Sequence, residues 1–201
     1  MVHKRKKSIL INYLPISEAR KIKELEKVLL DARVAQKEPE TEIYYMVRGV
    51  NFFGNLRFDI TIFPPKMLGK EYVKTKGHFH VGNFGELYQV LEGEGIFLLQ
   101  KGKEKVTKVY FVRARKGDFV KIPPEFGHIT INPSKKILIV GNWVANKMKS
   151  DYESLEKLKG ACYYFTKEGW MKNKNYQIVP NLTEKKATKR LPENLNFLFG
   201  K

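Results

Sequence analysis

Three of the four histidines in the chain lie where a metal site could form. His78 and His80 are separated by one residue, so on a β-strand both imidazoles point to the same face. Glu86 follows after a turn, and His128 lies much further along the chain. Three imidazoles and one carboxylate are an N and O donor set that leaves positions open on an octahedral ion. We therefore expect one divalent metal per chain with room for water or a substrate: Fe, Mn, Ni, Co or Zn, with Fe or Mn favoured.

The part of the chain that must position these residues has the pattern of a β protein. From Glu42 onward, short apolar and aromatic runs are separated by glycine, proline and asparagine. We place strands at 42–50, 56–64, 72–80, 86–91, 95–100, 106–114, 118–122, 126–132 and 136–144. Many short strands at this spacing predict a sandwich or a barrel.

The flanking segments have different patterns. Ile22, Leu25, Val28 and Leu29 recur at helical spacing, which predicts a helix over 17–35 that Ser17 caps. A short helix is expected at 152–158, and the lysine-rich tail from residue 183 is expected to be a flexible arm that docks at its apolar tip, 195–199. We divide the chain into an N-terminal extension with a helix (1–41), a β-barrel (42–146), and C-terminal covering segments with a basic tail (147–201).

Composition excludes several classes of protein. At 201 residues and 42% hydrophobic, the chain can bury a core, so it is not wholly disordered. With one cysteine, Cys162, it cannot form an internal disulfide, which points to the cytoplasm and to a buried, inert thiol. No apolar run is long enough for a membrane span or a signal peptide.

The charge balance favours an anionic partner. The net charge is +17, which suits a phosphorylated small molecule, a nucleic acid or an acidic surface. Basic clusters at 3–7 and 185–190 could contact nucleic acid, but no base-stacking motif accompanies them. We expect them to be solvated surface, and nucleic acid to be an unlikely partner.

The spacing of the candidate ligands resembles the two signature motifs of the cupin superfamily. The residues that carry this resemblance are His78, His80, Glu86 and Gly93 in the first motif, and Gly117, Pro123, His128 and Asn132 in the second. Glu125 stands where the second motif usually has glycine. The resemblance implies an all-β cupin jelly-roll barrel with the metal in its mouth, carrying an N-terminal helix and a C-terminal helical or irregular extension.

A narrower resemblance rests on the string Thr-Lys-Gly-His-Phe-His at 75–80 and on the segments 86–88, 93–95, 98–100 and 122–132. In these residues the chain is similar to the archaeal cupin-type glucose-6-phosphate isomerases. The matching positions are concentrated in residues 56–132. The resemblance implies a metal-dependent aldose–ketose isomerase of glycolysis and gluconeogenesis, cytoplasmic and homodimeric, that interconverts glucose 6-phosphate and fructose 6-phosphate. The metal ligands it implies are His78, His80, Glu86 and His128, the substrate contacts Tyr44, Thr61, Thr75, Gly77 and Tyr152, and the catalytic residues Glu86 and Tyr88.

The chemistry expected of such an isomerase leaves two routes open. In one, Glu86 is the base that moves a proton between C2 and C1 through an enediol, and Tyr88 donates to a sugar hydroxyl. In the other, a hydride shifts between the carbons, the metal polarises both oxygens, and Glu86 is a ligand only.

Departures from the family pattern keep two alternative functions open. Trp143 is expected near the substrate where relatives carry tyrosine, and Ser150 replaces a histidine. A non-catalytic cupin that binds a sugar phosphate is therefore one alternative. A cupin Fe(II) dioxygenase is the other, although Thr75 and Gly77 suit a phosphate better than an apolar substrate.

Overall fold

Two sheets, antiparallel except for one parallel edge pair, form the core of the protein, whose computed structural model describes residues 15–200. The strands are β1 Glu18–Lys21, β2 Glu42–Phe53, β3 Leu56–Phe63, β4 Met67–Leu68, β5 Glu71–Tyr72, β6 Phe79–Val81, β7 Glu86–Glu92, β8 Glu94–Lys101, β9 Lys108–Arg115, β10 Phe119–Ile122, β11 Phe126–Ile131, β12 Leu138–Ala145, β13 Lys149–Asp151, β14 Tyr163–Thr166, β15 Gly169–Lys172 and β16 Thr183–Lys186. The helices are short: 3₁₀ helices at Ile22–Val28 and Asn196–Leu198, α1 at Arg33–Lys37 and α2 at Glu153–Lys157.

The larger sheet has the order β1-β2-β3-β12-β7-β10, and the second sheet has the order β11-β8-β9-β16. Their facing side chains, among them Phe63, Phe97, Leu99 and Val140, form one apolar core. Since side chains alternate along a strand, every second residue of the large sheet points into the space between the sheets. This architecture confirms the predicted all-β cupin jelly roll.

The predicted N-terminal helix is divided into shorter elements. Ser17 does not cap a helix, because its Oγ accepts a hydrogen bond from the backbone N–H of Arg48 at 2.9 Å. The next four residues then pair with β2 as an edge strand, so the helical part begins only at Ile22. Strand pairing satisfies the backbone groups here, and the prediction of one helix over 17–35 is wrong in extent.

The predicted strand over 72–80 is also interrupted. Only its ends are strand, in β5 and β6, and Gly77 between them has φ +78°. Positive φ takes the backbone out of the extended region, which ends the ladder. His78 nevertheless pairs with His128 through an isolated bridge, so the two ends of the interrupted segment stay attached to β11.

The basic tail is not a free arm in the part that the structure describes. β16 pairs in parallel with β9, and Lys189 forms a 2.5 Å ion pair with Asp118. The apolar tip docks as predicted, with Phe197 and Leu198 buried beside Leu87. The helix predicted at 152–158 is confirmed as α2, whereas the basic cluster at 3–7 lies outside the described residues. Within residues 15–200, no helix is both long and apolar enough to cross a membrane.

Candidate metal centre and its pocket

The candidate metal ligands come from three sheets: β7 of the larger sheet, β11 of the second sheet, and the β6 segment, which pairs with β13 in a separate two-stranded sheet. His80 lies on β6, Glu86 begins β7, His128 lies on β11, and His78 directly precedes β6. The possible ligand atoms of these four residues all lie within 4.8 Å of one another. The backbone N–H of His128 donates to the carbonyl of His78 at 3.0 Å, which fixes the separation of these two residues. The structure thus brings together the four residues predicted as metal ligands.

One oxygen of Glu86 lies at the centre of this cluster. Glu86 Oε2 is 3.2 Å from His80 Nε2 and 3.2 Å from His128 Nε2. The other oxygen, Oε1, accepts a 2.6 Å hydrogen bond from the side-chain amide of Asn142. The ring Nδ1 of His80 lies 2.8 Å from the carbonyl of Phe84, so Nδ1 carries a proton and Nε2 is the nitrogen that faces the cluster. Outer hydrogen bonds of this kind orient metal ligands in proteins.

Two ring nitrogens of the cluster lack partners. His78 Nε2 and His128 Nδ1 are buried and have no hydrogen-bond partner among residues 15–200. An unpaired polar atom in the interior costs free energy, and a divalent cation would satisfy the lone pair of His78. Together with the carboxylate and the other two imidazoles, this donor set fits a divalent metal ion.

The protonation of the cluster suits the same chemistry. Burial, and then the neighbouring His128, hold the pKa of His78 well below its usual value, so the ring stays neutral. Burial opposes ionisation of Glu86, but hydrogen bonds from His128 and His80 outweigh it and hold the pKa of the carboxyl well below its ordinary range. Burial also disfavours charge on His80, yet its hydrogen bond to Glu86 raises its pKa, so a metal ion would have to displace the proton on its Nε2. An anionic carboxylate and a neutral imidazole are the forms in which these groups bind metals.

A cavity of about 130 Å³ opens onto this cluster. His78, Glu86 and His128 line it, whereas the side chain of His80 is 2% exposed and lies behind Glu86. The residues predicted to contact the substrate or to act in catalysis also line the cavity: Tyr44, Thr61, Thr75, Gly77, Tyr88 and Tyr152. The fold therefore places every predicted site residue in or directly behind one cavity.

The segment that contains Thr75 and Gly77 packs closely against β11. Thr75 Oγ1 accepts a hydrogen bond from the backbone N–H of Thr130 at 3.0 Å, which leaves its own hydroxyl proton available to a ligand. A Cβ on Gly77 would lie 2.3 Å from Ile129 Cγ2, and the positive φ disfavours other residues as well. Glycine is therefore required at 77 by packing, and its backbone reaches the cavity wall.

The hydroxyls of two buried tyrosines also face the cavity. Tyr44 accepts a hydrogen bond from the backbone N–H of Lys76 at 3.4 Å, and burial raises its pKa to about 12. Tyr88 lies 3.3 Å from His128 Nε2, and burial raises its pKa well above the usual value. Both tyrosines therefore remain protonated at neutral pH and can donate hydrogen bonds.

Sequence reasoning missed Asn142 and four cationic residues that line the cavity. The cationic residues are Arg20, Arg48, Arg57 and Lys76. They are scattered along the chain and belong to no motif, so their spacing gave no signal. Side-chain alternation along β2 and β3 could have identified two of them. Arg48 lies an even number of residues from Tyr44, and Arg57 from Thr61, so each arginine shares the inner face of its strand with a predicted site residue.

Trp143 does not lie where it was expected. Its ring packs against Phe58, with centroids 4.8 Å apart, on the outer face of the large sheet. Its neighbours Asn142 and Val144 line the cavity instead, as the alternation along β12 requires. Ser150 does line the cavity, as expected.

The family model and the curated relatives that match this chain carry the same name. The family model described as "Glucose-6-phosphate isomerase (GPI)" matches residues 19–181. The glucose-6-phosphate isomerase of Pyrococcus furiosus is 32% identical over 119 residues, covering 56% of this chain and 61% of that one. The enzyme of the same name from Thermococcus litoralis is 32% identical over 107 residues, covering 53% of this chain and 55% of that one. The match thus spans about three fifths of the length of these curated relatives.

Among solved structures, oxalate decarboxylase from Bacillus subtilis aligns with a TM-score of 0.40 at 16% identity, covering 53% of this chain and 27% of that one. Oxalate oxidase aligns with a TM-score of 0.36 at 18% identity, covering 48% and 42%.

Proposed function

Because the chain belongs to the glucose-6-phosphate isomerase (GPI) family, we propose that it interconverts glucose 6-phosphate and fructose 6-phosphate at the cavity described above. The observation that carries the proposal is that one cavity wall holds both a metal-type donor cluster and a set of neutral hydroxyl and backbone donors. A metal held by the donor cluster suits the two reacting oxygens of the sugar, and the hydroxyl and backbone donors suit its phosphate.

The metal in this proposal is one divalent ion per chain held by His78, His80, Glu86 and His128, with Fe or Mn favoured. When bound, it would supply Lewis-acid polarisation of the sugar oxygens at C1 and C2. The protein's part is to hold the ligands: Asn142 and the carbonyl of Phe84 fix the orientation of Glu86 and His80.

The phosphate of the substrate is proposed to bind Thr61, Thr75, Tyr44 and the backbone of Gly77. These groups donate hydrogen bonds without carrying charge, which suits an anion that must also be released. Tyr152 is proposed as a further substrate contact, because it lines the same cavity and its ring lies 5.6 Å from that of His78 between centroids.

In the proton-transfer route, Glu86 Oε2 accepts the proton from C2 of the aldose and returns it to C1. Asn142 holds the other oxygen of the same carboxylate, so this route assigns the transfer to Oε2, the oxygen that also faces His80 and His128. Tyr88 donates its proton to the sugar oxygen at C1 as negative charge develops, and takes a proton back from the hydroxyl at C2 when the ketose forms, so the phenol is regenerated. In the hydride route Glu86 stays ionised throughout, and incorporation of solvent deuterium into the product distinguishes the two routes.

The wider setting of the proposed enzyme follows from the resemblance to the family. We infer a cytoplasmic homodimer whose partner is the sugar phosphate and not nucleic acid. Size-exclusion chromatography with light scattering tests the dimer.

A coupled assay of glucose 6-phosphate formation from fructose 6-phosphate tests the function. The protein is stripped with chelator and reloaded separately with Fe(II), Mn(II), Ni(II), Co(II) or Zn(II). We expect activity to return with metal, to be lost in His80→Ala, and to be retained in His3→Ala, which changes the one histidine outside the motifs. A protein that binds one ion per chain but shows no turnover with any metal would overturn the proposal and favour a non-catalytic, sugar-phosphate-binding cupin.

A further inference from the structure

The cavity is lined by cationic side chains that the proposed phosphate subsite, which consists of uncharged donors, does not use. The cationic residues on its wall are Arg20, Arg48, Arg57 and Lys76, and Glu86 is the one acidic residue among its lining residues in the described chain. The acidic partners of the cations are outside this lining: Glu18, Glu24, Asp59 and Glu156. The cations are therefore paired with carboxylates that do not themselves line the cavity.

Asp59 anchors two of these guanidinium groups. Its carboxylate is 0% exposed. Oδ1 accepts hydrogen bonds from the backbone N–H of Gly49 at 2.8 Å and from Arg57 Nε at 2.9 Å, and Oδ2 accepts one from Arg48 Nη1 at 2.9 Å. The bond from Gly49 ties the carboxylate to the backbone of β2, so the two arginines are held in fixed positions.

The anchor leaves donors free on both arginines. Arg57 uses Nε for Asp59, and its two terminal nitrogens have no hydrogen-bond partner in residues 15–200. Arg48 directs Nη2 toward Met46 Sδ, a weak acceptor, at 3.0 Å, and the same nitrogen lies 4.0 Å from Glu18 Oε2. The side chains are 39% and 30% exposed for Arg48 and Arg57, so solvent or a ligand in the cavity reaches them.

Stability alone does not account for this arrangement. Burying a carboxylate carries a desolvation cost that its ion pairs barely repay, and apolar residues of similar size usually serve a core as well. A buried carboxylate that fixes two guanidiniums at a cavity wall instead preorganises planar donors for an anion, since the guanidinium fork matches phosphate geometry.

The guanidinium pair is separate from the hydroxyl-lined part of the cavity. On β3, Arg57 is four residues from Thr61, about 13 Å along the strand at ~3.3 Å per residue. Asp59 pairs in register with Asn142 on β12, and Asn142 holds Glu86. The pair therefore lies on the side of the cavity nearest Asn142 and Glu86, displaced along the strand from the hydroxyl of Thr61.

We propose that Arg48 and Arg57 form a second anion subsite, which takes the second phosphate of a sugar bisphosphate whose first phosphate lies at Thr75 and Gly77. The inference rests on the proposed function only for the position of the first phosphate. Fructose 1,6-bisphosphate and fructose 6-phosphate are the matched probes, because they differ in the second phosphate alone.

Isothermal titration of the metal-loaded protein with each sugar measures the preference. We expect the bisphosphate to bind about tenfold more tightly than the monophosphate, as charge-assisted hydrogen bonds to a second phosphate allow. In Arg57→Gln and in Arg48→Gln the ratio should fall toward one, while affinity for the monophosphate changes little. Arg33→Gln is the matched control, since Arg33 is exposed and pairs with Asp31 away from the cavity.

The outcomes separate this inference from the proposed function. Equal binding of the two sugars to an active wild-type enzyme would overturn the second subsite and leave the isomerase intact. A preference for the bisphosphate that survives both arginine substitutions would also overturn it. Arginine-dependent binding of the bisphosphate by a protein without isomerase activity would support the subsite and refute the isomerase. Where a variant fails to fold, the wild-type comparison still tests the subsite, because equal binding of the two sugars would overturn it.

Discussion

Asn142 and Glu86 meet across the neighbouring strands β12 and β7, where the Asn142 amide donates a 2.6 Å hydrogen bond to Glu86 Oε1. The bond engages one carboxylate oxygen and leaves Oε2 facing His80 and His128 at 3.2 Å each. A residue without titratable or metal-binding chemistry thereby decides which oxygen of Glu86 faces the cluster.

Removing this amide should weaken metal binding. In Asn142→Ala we expect the dissociation constant for Mn(II) to rise about tenfold, the lower end of the effect seen when partners of metal ligands are removed. Isothermal titration of the chelator-stripped protein measures it. Asn146→Ala, an exposed position on the same segment, is the control and should bind as the wild type does. An unchanged affinity in Asn142→Ala would show that Glu86 needs no such support.

The buried pair of Lys74 and Glu71 should matter for stability. Lys74 Nζ bonds to Glu71 and donates to the carbonyl of Val28 at 2.9 Å, while Glu71 accepts the backbone N–H of Leu30 at 2.7 Å. The two side chains are 4% and 1% exposed. In Lys74→Met the carboxylate stays buried without its cation, and we expect a loss of about 3 kcal/mol in the free energy of unfolding.

The double variant Glu71→Gln with Lys74→Met provides the comparison. It removes both charges and keeps an acceptor for Leu30, so it should lose less than half of what Lys74→Met loses. Urea denaturation followed by circular dichroism measures both. A double variant as unstable as the single one would assign the loss to packing of the lysine stem and not to the unpaired charge.

Stability at low pH should depend on Asp151. Burial opposes ionisation of this residue, but hydrogen bonds from Lys103 and Ser154 outweigh it and lower its pKa to about 2 from 3.8. A carboxyl with a depressed pKa stabilises the folded state above its unfolded pKa, and the contribution disappears as pH falls through the folded value. The wild type should therefore exceed Asp151→Asn in stability above pH ~4, with the difference vanishing toward pH ~2.

Urea unfolding at a series of pH values tests this dependence. Glu104→Gln removes an exposed carboxylate and should parallel the wild type throughout. A stability difference for Asp151→Asn that stays constant from pH 5 to pH 2 would contradict the assignment.

The single thiol should be unreactive in the folded protein. Cys162 is 0% exposed, and burial raises its pKa to about 12. Since the thiolate is the reactive form, labelling by a disulfide reagent at pH 8 should occur only on unfolding. The absorbance of the released thiol, followed with and without denaturant, measures it. Fast stoichiometric labelling of native protein would show that the segment around Cys162 opens readily.

Local spacing was sufficient to predict much of the site. Alternation along a strand places His78 and His80 on one face whatever lies beyond them, and the interval to His128 is fixed by the intervening strands. The strand positions from Glu86 to Ile131 were predicted to within a few residues, because each has its own apolar run and its own turn. Two elements were predicted incorrectly. Residues 18–21 were predicted as helix but pair with β2 as a strand. The strand predicted over 72–80 is interrupted at Gly77, which has a positive φ.

The tertiary structure alone decided which other side chains share the cavity. Alternation tells that Trp143 and Asn142 face opposite ways, but the register of β12 between β3 and β7 determines that Asn142 faces inward. The same holds for Arg48 and Arg57, which gather around Asp59 because β2 and β3 pair side by side. Side-chain alternation is a property of the local backbone, whereas register depends on contacts between residues far apart in the chain, and no single segment of sequence contains them.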